Sequence, residues 1–469
     1  QKIGKQLGFP TANLEVTQKN KLIPPEGVYA VWVLHQQQRY GGMLYIGKRP
    51  TLKEYNHTNI EVNIFDFNRD IYGDKLQMEL VDYIRGDQSF DDLDALSEQL
   101  KKDRMAVKKV LAQTTPREME KKTPVQPKVA VVILNYNGKK HLQQFLPSVL
   151  ACAYPNFEIV VADNASTDDS VAFLKKHFPD VRLIRLPANY GFALGYNMAL
   201  EEIQSDYYVL LNSDVEVTPG WIDPIIELME RDPTVAACQP KIKSYVEKNK
   251  FEYAGASGGW IDYFGYPFCR GRIFAVTETD HGQYNDTQEI FWASGAALFI
   301  RANLFHNIGG FDGDYFAHAE EIDLCWRLKN AGYKVMVRPR SVVYHVGGGT
   351  LTYNTPFKAF LNFRNNLFNL LKNEPAHRLP QLIIARLLLD GLAAVLFLTQ
   401  GKIKHIGSIL KAHGHFYRDF FKNLRKRKEY RELIQKVSIS AEPNTKGRYQ
   451  GSIVWQYFGL RKRSFRQLK

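Results

Sequence analysis

The sequence predicts a multidomain protein: a β-rich N-terminal module, a central α/β module built on a parallel sheet, and a helical, basic C-terminal tail. Three observations predict it. At 469 residues the chain exceeds one ordinary hydrophobic core. Strand-like runs dominate residues 1–112 and then give way to alternating strand and helix patterns. Beyond about Thr355 the chain becomes helical, apolar and basic. The predicted boundaries are 1–112, a linker at 113–127, the α/β module at 128–355 and the tail at 356–469.

In the first module, "GVYAVWVLHQ", "RYGGMLYIG", "IEVNIFDF" and "KLQMELVDYI" are β-rich runs separated by Gly, Asn and Asp turns. Apolar spacing predicts a helix from Asp91 to about Leu111. "AQTTPREMEKKTPVQPK" is polar, proline-containing and aperiodic, as a linker would be. From Lys128, "VAVVILNYN" is a continuous apolar strand of the kind buried on both faces. A helix at His141–Leu150, strand "EIVVAD", a helix after "STDDS", strand "VRLIRL", a further helix and strand "YYVLL" complete a β-α-β-α-β-α-β order. In such sheets ligands bind at the carboxyl ends of the strands. Three strands end in polar residues there: Asn135 with Asn137, Asp163 with Asn164, and Asn212 with Asp214. One such tip reads as a solvated turn; three coincident ones read as a site.

In the tail, "LIIARLLLDGLAAVLFL" (382–398) carries only Arg386 and Asp390 as charges, four apart on one helical face. A charge pair near the centre makes a poor membrane span, at about 2.5–3.5 kcal/mol per charge in the bilayer core. A helix lying in the interface or packed on the domain fits better. "KNLRKRKEYR" then adds cations where anionic headgroups would be, although a solvated charged face is an equal reading.

Hydrophobic residues form 45% of the chain and charged residues 24%, which excludes a disordered protein. The formal charge of +13 favours anionic partners without choosing among phosphates, nucleotides, nucleic acid and an acidic membrane. The basic run lies in a helical tail without a nucleic-acid-binding motif, so no nucleic-acid partner is expected. Cys152, Cys238, Cys269 and Cys325 lack CxxC spacing and read as free thiols in a reducing compartment. With no signal peptide, the expected location is cytoplasmic, with the tail on the inner face of the plasma membrane. The chain opens on Gln1, so a natural start is expected upstream.

The strand tips suggest oxygen-rich chemistry. Hard cations that neutralise a diphosphate take oxygen ligands. Asp214, with Asn212 and Glu216 alternating along one face, can supply them. Asp163 can accept a hydrogen bond from a base or ribose. "NYGFALGYNMAL" (189–200) places small residues, Gly191 among them, where a helix begins and a ligand can approach the backbone. Glu320, Glu321 and Asp323 open a later helix, where acids also complement the helix dipole. His345 beside a glycine run is of a type that completes a metal shell.

Residues 128 to about 350 resemble a family 2 glycosyltransferase of the rhamnosyltransferase-like kind, with a GT-A fold. The motifs, in order, are "VVILNYNG", "VVADNASTDDS", "NYGFALGYN", "LLNSDVEV", "WASGAALFIR" and "HAEEIDLCWR". The resemblance implies a nucleotide-diphosphate sugar donor, a glycan or lipid-linked acceptor, and Mg²⁺ or Mn²⁺. It implies donor binding by Asn135, Asp163, Asn164, Gly191, Asn197 and Asp214. Asp214 would be the central acid of a DXD-like motif, with Glu216 and His345 as further candidate metal ligands and Glu321 as general base. Two positions depart from the pattern: Asn212 replaces the first Asp of DXD, and Glu321 stands where many relatives have Asp. Transfer would invert the anomeric centre in a single displacement.

Residues 1–112 resemble the riboflavin kinase domain of bacterial bifunctional FAD synthetases, through "LGFPTANLEV", "YIGKRPT" and "IEVNIFDFNRDIYG". That likeness implies a β-barrel, Thr11 and Asn13 holding Mg-ATP, and Glu61 activating the riboflavin 5′-hydroxyl. Only "QKIGKQ" precedes the motif, so a barrel lacking its first strand and poor kinase activity are expected. Met119 would serve as a start for a free-standing transferase, and a genuine fusion and two neighbouring genes read as one chain both stand. A functional flavin enzyme with a mis-joined transferase, or a non-catalytic membrane scaffold, are the alternatives.

Overall fold

The computed structural model describes residues 9–14, 23–35, 38–48, 58–68, 71, 74, 76–90, 92–114, 126–347 and 355–468. Met119 and most of the expected linker lie outside them. The chain divides into two compact units, 1–125 and 126–469.

In the first unit, β1 (Ala12–Asn13), β2 (Gly27–His35), β3 (Gln38–Lys48), β4 (Thr58–Ile64) and β5 (Gln77–Arg85) form an antiparallel sheet in the order β1-β4-β3-β2-β5. Val31, Val33, Leu44, Ile46, Val62 and Ile64 alternate onto one face and form one cluster. On the other face α1 (Leu93–Gln113) seats Val107 and Leu111 beside Ala30 and Met43. Asp92 caps this helix by accepting from the Ala95 amide at 2.7 Å. Buried Asp103 pairs with Arg85 at 2.8 Å and ties the helix to β5. Among the described residues the sheet is open, and two-residue β1 forms one edge, bonded only to β4.

The second unit begins with β6 (Val129–Asn135), α2 (Lys139–Leu150), β7 (Phe157–Asp163), α3 (Ser170–His177), β8 (Arg182–Arg185), α4 (Gly191–Glu201) and β9 (Tyr207–Asn212), in the order expected. Then follow β10 (Val215–Val217), α5 (Asp223–Arg231), β11 (Val235–Ser244), and the short strands β12 (Gly259–Ile261), β13 (Pro267–Cys269), β14 (Arg272–Ile273) and β15 (Val276–Thr277). The unit continues with β16 (Gln288–Ile290), β17 (Ala297–Arg301), α6 (Ala302–Asn307), α7 (Glu320–Asn330) and β18 (Lys334–His345). The main sheet runs β10-β18-β11-β17-β9-β6-β7-β8.

Strands β9, β6, β7 and β8 are parallel, as the sequence predicts, but β17 enters antiparallel between β9 and β11. The sheet is therefore mixed. The reversed strand has the same apolar character as its parallel neighbours, so composition does not reveal its direction. Both faces are covered, by two separate clusters of buried side chains.

Helices α8 (Pro356–Asn373), α9 (Leu379–Thr399), α10 (Ile403–Arg418) and α11 (Phe420–Val437) correspond to the predicted tail. They are not an appendage. Leu367, Leu370 and Leu371 of α8, Leu382 of α9 and Phe416 of α10 join the same buried cluster as Tyr196, Phe311 and Tyr315. The boundary drawn at residue 355 thus falls inside one compact unit. Arg386 and Asp390 explain how an apolar helix docks there. Arg386 stacks 3.7 Å from the Tyr266 ring, and Asp390 accepts from the Tyr266 hydroxyl at 3.2 Å and faces His413 at 3.1 Å. The charges point inward, and Ile384, Leu388, Leu392, Val395 and Leu398 are left exposed.

Candidate functional sites

The second unit's site starts from strand register. Asn135 lies opposite Asp163, and Leu134 opposite Asn212, so the three polar tips do share one end of the sheet. Asn135 is fully buried and donates to Asp163 Oδ1 and Ser166 Oγ, both at 3.1 Å. Asp163 also accepts from the Ser166 amide at 3.1 Å, closing the loop that follows β7. Asn164 donates to Asn189 Oδ1 and the Gly191 carbonyl and accepts from the Tyr190 amide, which fixes the entry into α4. Gly191 has φ +73°, and a Cβ there would lie 2.6 Å from the Phe316 ring, so glycine is required on two counts.

Asn197 belongs to a different task. Its amide donates to the Phe311 carbonyl at 2.7 Å and accepts from the Phe311 amide at 2.9 Å. Both polar ends hold backbone, so the structure gives it a scaffolding contact where the sequence suggested donor binding.

Asp214 and His345 are 131 positions apart yet meet at 3.1 Å, because β10 pairs antiparallel with the end of β18. The Asn212 amide is 3.3 Å from the same His345 Nε2. On the other side of the ring, Glu252 Oε2 lies 3.2 Å from Nδ1. Burial works against a charged imidazole, but Glu252 and then Asp214 outweigh it and raise His345 to about 10. Burial likewise pushes the Asp214 carboxyl up, and His345 reverses this to leave it below the ordinary value.

Glu216, expected on the same face, instead accepts from Lys248 at 2.8 Å. Among the described residues, no group of three or more His, Cys, Asp and Glu side chains forms a ready metal cage. Asp214 and His345 could still hold a divalent cation whose remaining ligands come from substrate oxygens and water, as Mg²⁺ sites commonly do.

At the start of α7 the three acids separate into two roles. Asp323 is structural: it pairs with Arg327 at 2.9 Å and Lys372 at 3.1 Å and accepts from Asn373. Glu320 and Glu321 each keep a buried Oε2 with no hydrogen-bond partner. Glu321 retains some exposed surface while that oxygen is buried. Desolvation dominates both carboxyls. It raises Glu321 to about 7 against opposing backbone amides, and it holds Glu320 well above the carboxylate range with help from Glu321's charge. A carboxyl poised near neutrality can accept a proton at physiological pH.

In the first unit, the structure brings together all three residues singled out from sequence. Asn13 of β1 stands opposite Glu61 of β4, and Thr11 Oγ1 donates to Glu61 Oε2 at 3.1 Å. Asn59 holds the other Glu61 oxygen at 2.7 Å, and Asn63 fixes the Pro10 carbonyl at 2.7 Å.

Comparison with known proteins finds two successive family matches. Residues 1–111 match the riboflavin kinase family model, and residues 130–309 match that of glycosyl transferase family 2. The two matches follow one another along one chain. The transferase unit is similar to the N-acetylglucosaminyl-diphospho-decaprenol L-rhamnosyltransferase of Mycobacterium tuberculosis, 28% identical over 233 residues, covering 46% of this chain and 75% of that protein. The kinase unit is similar to the bifunctional riboflavin kinase/FMN adenylyltransferase of Bacillus subtilis, 39% identical over 105 residues, covering 22% of this chain and 33% of that protein. This chain thus spans about a third of the flavin relative's length. Among solved structures, S. aureus TarS 1–349 in complex with UDP-GlcNAc is similar at 16% identity, covering 66% of this chain and 88% of that one, with a TM-score of 0.43. Glu321 and His345 lie beyond the matched segment of the family 2 model, which ends at residue 309.

Sequence reasoning missed Glu252. It sits in "KFEYAGAS", an apolar stretch with no motif, and only the fold brings it to His345.

Proposed function

We propose that the second unit transfers a sugar, L-rhamnose being the first candidate, from a nucleoside-diphosphate donor to a hydroxyl of a glycan or lipid-linked acceptor. The observation that carries this reading is the meeting of Asp214 with His345 at the end of the sheet where Asn135, Asp163 and Asn212 converge. Asp163 and Asn164 would receive the nucleoside, and Gly191 lets Phe316 pack closely on the start of α4. Asp214 and His345 would hold Mg²⁺ or Mn²⁺, which when bound neutralises the leaving diphosphate. For His345 to be a ligand it must give up the proton held between two carboxylates, so metal uptake releases a proton. Glu321 takes the proton from the acceptor hydroxyl as that oxygen attacks the anomeric carbon from the side opposite the diphosphate. The test is release of nucleoside diphosphate from nucleoside-diphosphate L-rhamnose, UDP-GlcNAc and GDP-mannose, with Mg²⁺, Mn²⁺ or chelator. Turnover of one donor that chelator abolishes is expected; turnover of none sinks the reading.

The first unit is proposed to phosphorylate riboflavin with ATP, Thr11 and Asn13 holding Mg-ATP and Glu61 taking the 5′-hydroxyl proton. The 3.1 Å Thr11–Glu61 contact supports this assignment. Phosphoryl transfer depends mainly on positioning, and β1 is a two-residue edge, so slow turnover is expected.

The exposed face of α9, with Ile403 and Leu410 of α10, is proposed to lie on an anionic bilayer of the inner membrane face. Ile384, Leu388, Leu392 and Leu410 are each more than 60% exposed, and exposed Lys402, Lys404 and Lys411 flank the apolar stripe. Apolar insertion and charge attraction then act together. Co-sedimentation with phosphatidylglycerol-containing vesicles that Leu388→Glu plus Leu392→Glu abolishes is expected. Full-length protein left in the supernatant at low salt rules the surface out.

A further inference from the structure

The segment that leads into Glu321 has an unusual backbone. Phe316, His318 and Ala319 have φ of 62°, 69° and 69°, and none of them is glycine. Side-chain-bearing residues occupy this region only when their surroundings hold them there. The holder is α8, which lies beyond the segment matched by the family 2 model.

Asn365 is fully buried. Its amide nitrogen donates to the carbonyls of His318 at 2.7 Å, Ala317 at 3.0 Å and Tyr315 at 3.3 Å. One turn on, Asn369 donates to the Ala319 carbonyl at 3.2 Å and accepts from the Tyr315 hydroxyl. Two asparagines on one helical face thus fix every carbonyl from Tyr315 to Ala319 except that of Phe316. The Phe316 carbonyl is turned the other way, to accept from the amides of Phe192 at 2.6 Å and Ala193 at 3.3 Å at the start of α4. The loop is therefore stretched between α8 and α4, and Glu320 and Glu321 follow directly from its last residue.

We infer that Asn365, seconded by Asn369, is a positioning residue for sugar transfer: it holds the left-handed loop that seats Glu321 against the donor helix α4. This inference rests on the transferase reading for its function, but not for its structural content. An asparagine suits the position because its nitrogen is a donor with no negative charge. A carboxylate would face three carbonyl oxygens, and an alkyl group would take away the side-chain donor of the Ala317 and His318 carbonyls, while that of Tyr315 would keep Arg364 at 3.0 Å. The same helix adds Lys372, bonded to Asp312 at 2.6 Å and to Asp323 at 3.1 Å, which anchors both flanks of the loop. Each contact lies on α8, so the C-terminal helices complete the catalytic end of the unit.

The experiment uses the full chain with Asn365→Leu and Asn365→Asp, and Asn366→Leu as a neighbouring control. Hydrogen exchange is read without substrate, and transfer is measured with nucleoside-diphosphate L-rhamnose, or with whichever of UDP-GlcNAc and GDP-mannose turns over. Amides of residues 316–321 should exchange at least about tenfold faster in both Asn365 variants, with the sheet strands unchanged. The kcat should fall by about 30- to 100-fold with the donor KM within about threefold, because the base and not the donor pocket has moved. The control should match wild type. Unchanged exchange in the loop, exchange that rises evenly through the unit, or a defect confined to KM would each overturn the inference. If wild type turns over no donor, the transferase reading fails while the exchange result still decides the clamp.

Discussion

The two candidate sites are built in opposite ways. In the first unit, Asn13 and the adjoining Thr11 stand on or beside β1, a two-residue edge strand that among the described residues bonds only to β4, which carries Glu61. In the second, Asn135, Asp163 and Asn212 end strands paired on both sides, and Asp214, His345 and Glu252 are buried, with Asp214 leading into β10 at that sheet's own edge. A strand tip inside a sheet inherits rigidity from a partner on each side, whereas an edge depends on one ladder. Chemistry that needs exact positioning should therefore be robust in the second unit and fragile in the first.

The largest expected effect tests the buried site. Asp214→Asn removes the carboxylate facing His345 and should lower transfer by roughly 10³-fold, with loss of metal-dependent donor binding measured by calorimetry. Unchanged turnover in folded protein would take Asp214 out of the site.

Glu321→Gln should lower kcat by about 10²-fold or more at near-normal donor affinity, since a base acts on the acceptor. Wild-type turnover should rise with pH through the range near 7 to which burial lifts Glu321, because only the carboxylate accepts a proton. Stability has the opposite sign. A folded-state value above the unfolded one means that Glu321 favours folding below about pH 4 and loses that contribution as pH rises through 7. The Gln variant should therefore be more stable than wild type at pH 8, by about 1 kcal/mol or more, with the gap closing under acid conditions. A variant less stable at pH 8 would mean that the Glu321 carboxylate has a partner in the folded protein.

The edge site is tested from beneath. Val62 is fully buried and lies opposite Ala12 in the one ladder that β1 makes among the described residues. Val62→Ala should cost about 1–3 kcal/mol and weaken that ladder, lowering riboflavin phosphorylation by about tenfold without touching a reacting group. Glu61→Ala should abolish it. Equal loss of phosphorylation and of sugar transfer in Val62→Ala would break the contrast between the sites.

What was legible in the sequence follows from the same physics. Apolar runs ending in Asn or Asp are a local pattern, so β6, β7, β9 and their tips could be read directly. Arg386 and Asp390 were legible as a pair on one face, although only the structure gives them Tyr266 and His413 as partners. The reversed β17 was not legible, because direction leaves no trace in composition. Nor were Asn365 and Glu252, whose partners lie roughly 50 and 90 positions away and whose neighbours form no motif. Glu216 and Asn197 show the converse limit. Spacing pointed to Glu216 and the family resemblance to Asn197, while Lys248 and the Phe311 backbone claimed their polar groups.

The smallest expected effect is none at all, and it concerns the joining of the units. Each has its own buried clusters: Val31, Val33 and Val62 belong to one in the first, and Tyr196, Tyr315 and Leu371, and Val131, Trp221 and Phe299, to two in the second. Cores that share no side chains should fold and melt separately. Residues 119–469 expressed alone should therefore keep full sugar transfer and the same melting temperature as the second transition of the whole chain. The same experiment weighs a true fusion against two neighbouring genes read as one, because only a fusion under selection for coupling has reason to make transfer depend on the flavin unit. Loss of transfer in folded 119–469 protein, restored when residues 1–118 are supplied, would establish such coupling and remove the contrast between an independent edge site and an independent strand-tip site.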